Sequence, residues 1–198
     1  MTDPKTIAFY DGAADQYDNC FDSGAASTAL KDFMALLPDG GAVLDLGCGP
    51  ARASVQMRKV GLKPDPVDAS QGMIDLANET HDIGARLLTF DEIDMVDAYD
   101  GVWANFSLLH APKPDLPKHF AAIATALRTG GVFHIGMKTG TGEKRDHIER
   151  LYTFVTVEEL HGLMKDAGFE IIFFEEGSDV GFAGTNDPFV NMRARKIA

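Results

Sequence analysis

Val43-Leu-Asp-Leu-Gly-Cys-Gly-Pro-Ala-Arg52 decides the fold. A short apolar run, Ala42 to Leu44, enters an acidic residue, Asp45, and two glycines, Gly47 and Gly49, follow one residue apart. This is the layout of a strand that ends in a tight loop and opens into a helix. Glycine permits positive φ and lets a ligand approach the bare backbone. The helix behind the loop presents free N–H groups and a partial positive charge. Such a crevice, at the carboxyl end of a first parallel strand, is a nucleotide site.

Spacing separates two cofactor classes. A nicotinamide site asks for Gly-x-Gly-x-x-Gly or a terminal Ala. Counted from Gly47, the sixth position is Arg52, whose long side chain would enter the helix–strand contact that a small residue exists to allow. The pattern acidic-x-Gly-x-Gly-x-Gly fits Asp45, Gly47 and Gly49, with Ala51 in place of the last glycine. It resembles the first motif of the class I S-adenosylmethionine-dependent methyltransferases. Nineteen residues after Gly49, Asp68 closes a second strand-like run and leads into Asp68-Ala-Ser-Gln-Gly-Met-Ile-Asp-Leu-Ala77. An acid at that spacing can accept hydrogen bonds from both ribose hydroxyls. Ser70 is a good N-cap, and the flexible thioether of Met73 can lie along the adenosine. This stretch resembles the family's Asp-x-Ser-x-x-Met-apolar-x-x-Ala. Tyr99 to His110 resembles its fourth strand and following loop, Leu127 to Phe133 its turn into strand five, and Thr156 to Phe169 its last helix and entry to strand six.

The resemblance implies an α/β fold: a Rossmann-like, doubly wound sheet of seven strands, mostly parallel, in the order 3-2-1-4-5-7-6 with an antiparallel last strand. It implies a single methyltransferase domain over 1–198, with a helical cap in 1–40 on a cofactor-binding core in 41–198. The implied donor is S-adenosyl-L-methionine, released as S-adenosyl-L-homocysteine. The implied cofactor set is Asp45, Gly47, Cys48, Gly49, Arg52, Asp68, Ala69, Ser70, Met73, Phe90, Asp91, Asn105 and Phe106. Asp45 serves the methionine ammonium, directly or through water. Phe90 reads equally as adenine wall or core, and Asp91 shares its neighbourhood with Asp94 and Asp97. Cys48 reads as a small packing residue. Arg52 reads equally as a cofactor or acceptor contact and as a solvated helix-end arginine.

On the acceptor side stand Tyr17, Ser107, His110 and Arg145. His110 sits on a loop stopped by Pro112 and Pro114, and a histidine titrates near neutrality; the bland alternative is a loop histidine bonded to backbone. Tyr10 and Tyr17 suit an N-terminal lid or a core-facing stripe. Lys138, Lys144, Arg145, Arg150 and Tyr152 surround a Gly-Thr loop, which suits an anionic acceptor or a solvated lid. Because a sulfonium methyl is already activated, alignment for in-line displacement carries most of the catalysis. A general base is needed only where the acceptor must lose a proton.

Composition bounds the rest. The chain has 198 residues, 45% apolar and 24% charged, as in ordinary globular domains. A formal net charge of −12 gives no electrostatic footprint for nucleic acid, so a small-molecule acceptor is expected. No apolar run approaches the ~20 residues of a membrane span, and Met-Thr-Asp-Pro-Lys lacks the features of a signal peptide, so a cytoplasmic location is the default. Cys20 and Cys48 make neither a disulfide framework nor a metal cluster. Oligomeric state and acceptor identity are not written in the chain. The competing functions are a non-catalytic S-adenosylmethionine-binding module and an NAD(P)-dependent oxidoreductase.

Periodicity predicts helices over 4–18, 25–37 and 50–61, a helix opening at Ser70, a stripe from Leu116 to Leu127 capped by Gly130-Gly131, and a capping-box helix from Thr156 to Gly168. Strands are expected around 85–90, 101–105, 132–137, 169–174 and 189–195. A polar linker over 175–188 joins the last two.

Overall fold

The computed structural model describes residues 3–20 and 26–197, with the side chains of 19 and 20 left aside; the Cys20 side chain and the predicted helix start at Ala25 lie outside what is described. Strand β1 (Ala42–Leu46) pairs in parallel with β2 (Lys63–Asp68) and β4 (Tyr99–Asn105), β2 with β3 (Arg86–Leu87), and β4 with β5 (Leu127–Lys138). Strand β9 (Asn186–Lys196) runs antiparallel to both β5 and the edge strand β8 (Phe169–Val180). The order β3-β2-β1-β4-β5-β9-β8 is the one the family resemblance implies.

Alternation along the central strands builds two apolar layers. Leu44, Leu46, Val102, Ala104, Phe133 and Ile135 face helices α5 (Leu116–Ala126) and α6 (Val157–Asp166), where Phe120, Ile123, Leu160 and Met164 meet them. Val43, Trp103 and Val132 point the other way, toward Leu30 and Phe33 of α2 (Thr28–Met34) and Met57 of α3 (Arg52–Lys59). A strand buried on both faces reads as a continuous apolar run. Helix α4 (Gln71–His81) starts on the Ser70 cap, and α6 on a complete Thr156/Glu159 capping box. No described helix is long and apolar enough to cross a membrane.

Several predicted boundaries move. Helix α3 begins at Arg52 rather than Pro50, because Ala51 takes a left-handed conformation (φ 57°) and the loop turns one residue further. Helix α5 stops at Ala126; Leu127 is already extended, and Gly130 lies inside β5 instead of capping the helix. The strand expected at 85–90 shrinks to Arg86–Leu87, and a 3-10 turn over Phe90–Glu92 follows. The polar linker is mostly ladder: β8 and β9 run on to Val180 and Asn186. An exposed edge strand needs no apolar alternation, since backbone pairing holds it. A hairpin of β6 (Glu143–Arg145) and β7 (Leu151–Thr153) occupies the region read as a basic loop.

Candidate active site

The carboxyl ends of β1, β2 and β4 open into a crevice of about 1050 Å³. Its floor is the glycine loop. Gly47 N and Cys48 N both donate to the Val67 carbonyl at 2.9 Å, tying the loop to β2. Gly47 sits at φ 74°, and a Cβ there would lie 2.3 Å from Ser107 Cβ. Only a bare α-carbon lets the loops after β1 and β4 meet so closely. The Ser107 hydroxyl locks the contact by donating to the Leu46 carbonyl at 2.6 Å. Beside it Phe106 holds φ 56°, a conformation that costs an aromatic residue about 1–3 kcal/mol and concentrates at functional sites.

Two carboxylates flank the loop. Asp68 accepts from Gly49 N (2.8 Å) and Ser70 N (2.9 Å), one bond on each oxygen. With about four lone-pair sites on a carboxylate, acceptor capacity remains for a guest hydroxyl. Burial raises its pKa against those hydrogen bonds. Asp45 is 2% exposed, and its carboxyl accepts from the Ser54 hydroxyl at 2.7 Å. Desolvation pushes its pKa up to about 7. A dry carboxylate with one neutral partner is complementary to a cation. Cys48 lies between the two acids, and burial with their negative charges pushes its thiol well above the ordinary range; it is no nucleophile at neutral pH.

Helix α1 (Pro4–Cys20) lies across the crevice. Asp3 caps it through Thr6 N (2.9 Å) and pairs with Arg145 of the β6–β7 hairpin at 2.7 Å. At mid-helix, Asp11 accepts from Ser70 Oγ (2.7 Å) and Gly72 N (3.1 Å). A Cβ on Gly72 would meet the Asp11 carbonyl at 2.6 Å, so the two helices touch by backbone there. Near its end Asp18 pairs with Arg52 at 2.7 Å. The helix thereby sets Thr6, Ile7, Tyr10 and Tyr17 against Gly47, Asp68, Met73, Phe106 and His110.

A polar chain runs through the acceptor half. His110 is 8% exposed, and burial pushes its pKa down to about 4, so its ring is neutral. Its Nδ1 lies 2.6 Å from the Leu151 carbonyl, an acceptor only, so Nδ1 carries the proton. Nε2 then accepts from the Tyr10 hydroxyl (3.0 Å), whose oxygen accepts from Arg150 Nη1 (2.9 Å). Arg150, 2% exposed, donates through Nε and Nη2 to one Asp146 oxygen at 2.9 and 2.8 Å. The rings of Phe9, Tyr10, Tyr152 and Phe182 surround it at 5.2–5.7 Å. Lys138 lies over Tyr152 at 4.0 Å and pairs with Asp187 at 2.6 Å.

Most residues singled out in the sequence converge here. Asp45, Gly47, Cys48, Gly49, Arg52, Asp68, Ala69, Ser70, Met73, Phe90, Asn105, Phe106, Ser107, His110 and Tyr17 all line the crevice. Two do not line it. Asp91 turns outward to Lys118 at 2.8 Å, and Arg145 is held by Asp3. Arg150 and Tyr152, read only as members of a basic cluster, stand inside. Asp11, Phe182 and Asn191 gave no local signal; their neighbours come from distant segments. His134, expected to be structural, stacks on Trp103 (centroids 3.9 Å apart) with its Nε2 3.2 Å from Asn105 Oδ1, and burial lowers its pKa to about 3.

Residues 43–131 match a family model described as a methyltransferase domain. That stretch of the chain reads as a methyltransferase domain, set on the Rossmann-like fold that such domains share. Solved structures share this fold. A SAM-dependent methyltransferase from Methanosarcina mazei aligns with a TM-score of 0.76 at 16% identity, over 87% of this chain and 98% of its own. The 1,6-didemethyltoxoflavin-N1-methyltransferase of Burkholderia thailandensis, solved with 1,6-didemethyltoxoflavin and S-adenosylhomocysteine, aligns at 0.71 and 23% identity over 100% and 92%. Phosphoethanolamine N-methyltransferase 2 of Haemonchus contortus, solved with S-adenosyl-L-methionine, aligns at 0.72 and 18% over 95% and 57%. No curated protein matches the chain.

Proposed function

We propose that this methyltransferase moves the methyl group of S-adenosylmethionine to a small-molecule acceptor by in-line displacement, with residues 1–40 serving as a cap on the 41–198 core. The observation that supports the acceptor class is the roof. Helix α1 is fastened near both ends by Asp3–Arg145 and Asp18–Arg52, which makes an enclosed crevice rather than an open groove for a polymer. A net charge of −12 points the same way.

The residues fit the cofactor. Asp68 faces the ribose with acceptor capacity to spare, and the dry Asp45 carboxylate receives the methionine ammonium. When bound, the cofactor supplies a methyl carbon activated by its sulfonium. Phe106 and Ser107 edge the transfer mouth, while Tyr10, Tyr17 and His110 wall the acceptor side and exclude water. His110, held near pKa 4, is a weak base at neutral pH; its task is to fix the Tyr10 hydroxyl and the shape of the pocket. This suits an acceptor that carries its own lone pair. Alignment of this kind supplies about 7–11 kcal/mol of barrier reduction.

Calorimetric titration with S-adenosylmethionine and S-adenosylhomocysteine, with NAD as control, tests the reading. Both adenosyl ligands should bind and NAD should not; a screen of small acceptors with labelled cofactor then follows. Absence of adenosyl binding overturns it.

A further inference from the structure

Arg150 is a charged side chain sealed inside the protein, and its hydrogen bonds do not exhaust its donors. A guanidinium carries five N–H groups and no acceptor. Among the described residues the Arg150 side chain gives three: Nε and Nη2 to Asp146, and Nη1 to Tyr10. One N–H on each terminal nitrogen is left over, in a residue that lines the crevice. Buried charged donors are costly when unmatched. Its two hydrogen-bonded neighbours are already engaged. The Tyr10 oxygen already accepts from Nη1 and gives its proton to His110, and the Asp146 carboxylate already receives Ile148 N, Arg150 N, Nε and Nη2.

The polar chain also has a direction. Protons point from Arg150 to Tyr10, from Tyr10 to His110, and from His110 to the Leu151 carbonyl. Tyr10 and His110 therefore have no proton left to offer a guest, whereas Arg150 keeps two N–H groups; Lys138 stands over the neighbouring Tyr152 ring, paired with Asp187. We propose that Arg150 anchors an oxyanion of the acceptor, a carboxylate or phosphate, through its two unused N–H groups. This rests on the methyl-transfer reading and adds the substrate class. Asp146 and Asp187 balance Arg150 and Lys138. The anion is therefore held by charge-assisted hydrogen bonds, not by a long-range positive field. The four surrounding rings favour an acceptor with a flat apolar body.

The test uses benzoate and its neutral isostere benzamide, titrated into the full chain with and without saturating S-adenosylhomocysteine. Benzoate should bind about tenfold more tightly than benzamide. Arg150→Lys keeps a charge beside Asp146 but loses the planar fork, and it should erase that preference. Lys138→Met should leave most of it. Equal binding of the two probes overturns the proposal, as does no benzoate binding at its solubility limit. So does a preference that survives Arg150→Lys or vanishes with Lys138→Met. Should Arg150→Lys fail to fold, the wild-type ratio and Lys138→Met still decide. Failure of S-adenosylhomocysteine to bind would sink the methyl-transfer reading alone, because the cofactor-free titration reports on Arg150 by itself.

Discussion

Gly47→Ala probes the tightest contact in the site. The new Cβ would stand 2.3 Å from Ser107 Cβ and 3.0 Å from its Oγ, where carbon atoms rest at about 3.5–4.0 Å. At φ 74° a left-handed alanine costs about 1–2 kcal/mol. Parting the two loops to clear the overlap costs about 1–3 kcal/mol more, the range for overpacking. The sum, about 2–5 kcal/mol, lowers Tm by roughly 4–20 °C in a domain of this size. The parted loops line the crevice, so S-adenosylhomocysteine affinity should fall as well. Scanning calorimetry and ligand titration measure both.

The overlap has an internal control. Ser107→Gly removes the atoms that clash, though alone it loses the 2.6 Å bond to the Leu46 carbonyl, at about 0.5–1.5 kcal/mol. The double variant keeps the left-handed cost and sheds the overlap. It should be more stable than additivity allows by about 1–3 kcal/mol. Gly47→Ala melting within a degree of the parent, or no coupling with Ser107→Gly, would refute the close-approach argument.

Asp68→Asn places an amide where two backbone N–H groups need oxygens, so it should weaken S-adenosylhomocysteine binding by about 10- to 150-fold, equivalent to about 1.5–3 kcal/mol; unchanged affinity by calorimetry would remove the ribose assignment. Burial holds the Asp45 pKa near 7 in the free protein, and a bound ammonium should lower it. Cofactor binding at pH 6.5 should then release a proton, seen as a dependence of binding heat on buffer ionisation enthalpy that Asp45→Asn abolishes. His110 and His134 have pKa values depressed by burial to about 4 and about 3. The stability they contribute is complete above the unfolded value near 6.5 and is lost as pH falls through the folded values. Asp45 has the opposite sign: its raised pKa makes stability fall as pH climbs from about 4 to about 7. In thermal melts between pH 4 and 7, His110→Gln should flatten the acid-side loss and Asp45→Asn should steepen it; the same slope in both variants would refute these assignments.

What was legible in the sequence is what local chemistry dictates. Asp45, Gly47, Gly49 and Asp68 lie where a strand end and a loop bring them, and a single spacing of residues identified the loop. The Ser70 cap and the Thr156/Glu159 box were readable because capping needs only residues three apart. Boundaries failed where the backbone does something a side-chain pattern does not record. The left-handed Ala51 delays α3, and the β8–β9 ladder continues through polar residues because backbone pairing, not burial, carries it. Arg145 and Arg150 show the limit for the site. Five residues apart in one basic cluster, they have opposite fates. Arg145 is drawn outward by Asp3, 142 positions away in the chain, and Arg150 is sealed in by rings from residues 9, 10, 152 and 182.

That division also explains why the donor half of the reaction can be read from the chain while the acceptor half cannot. On the proposed reading the cofactor is held by main-chain geometry after β1 and by two acids fixed to strand ends, so the holding groups are close in sequence and their spacing is rigid. The acceptor half is assembled from α1, the β6–β7 hairpin and the β8–β9 tip, which meet only through tertiary contacts such as Arg150–Tyr10 and Tyr17–Phe182. Replacing one wall element leaves the glycine loop untouched. A change in the hairpin or the β8–β9 tip should therefore alter which acceptor is taken while leaving S-adenosylhomocysteine affinity nearly constant. A change in the loop after β1 should do the reverse. On this reading α1 touches both halves, and substrate identity resides in the half whose residues are far apart in sequence.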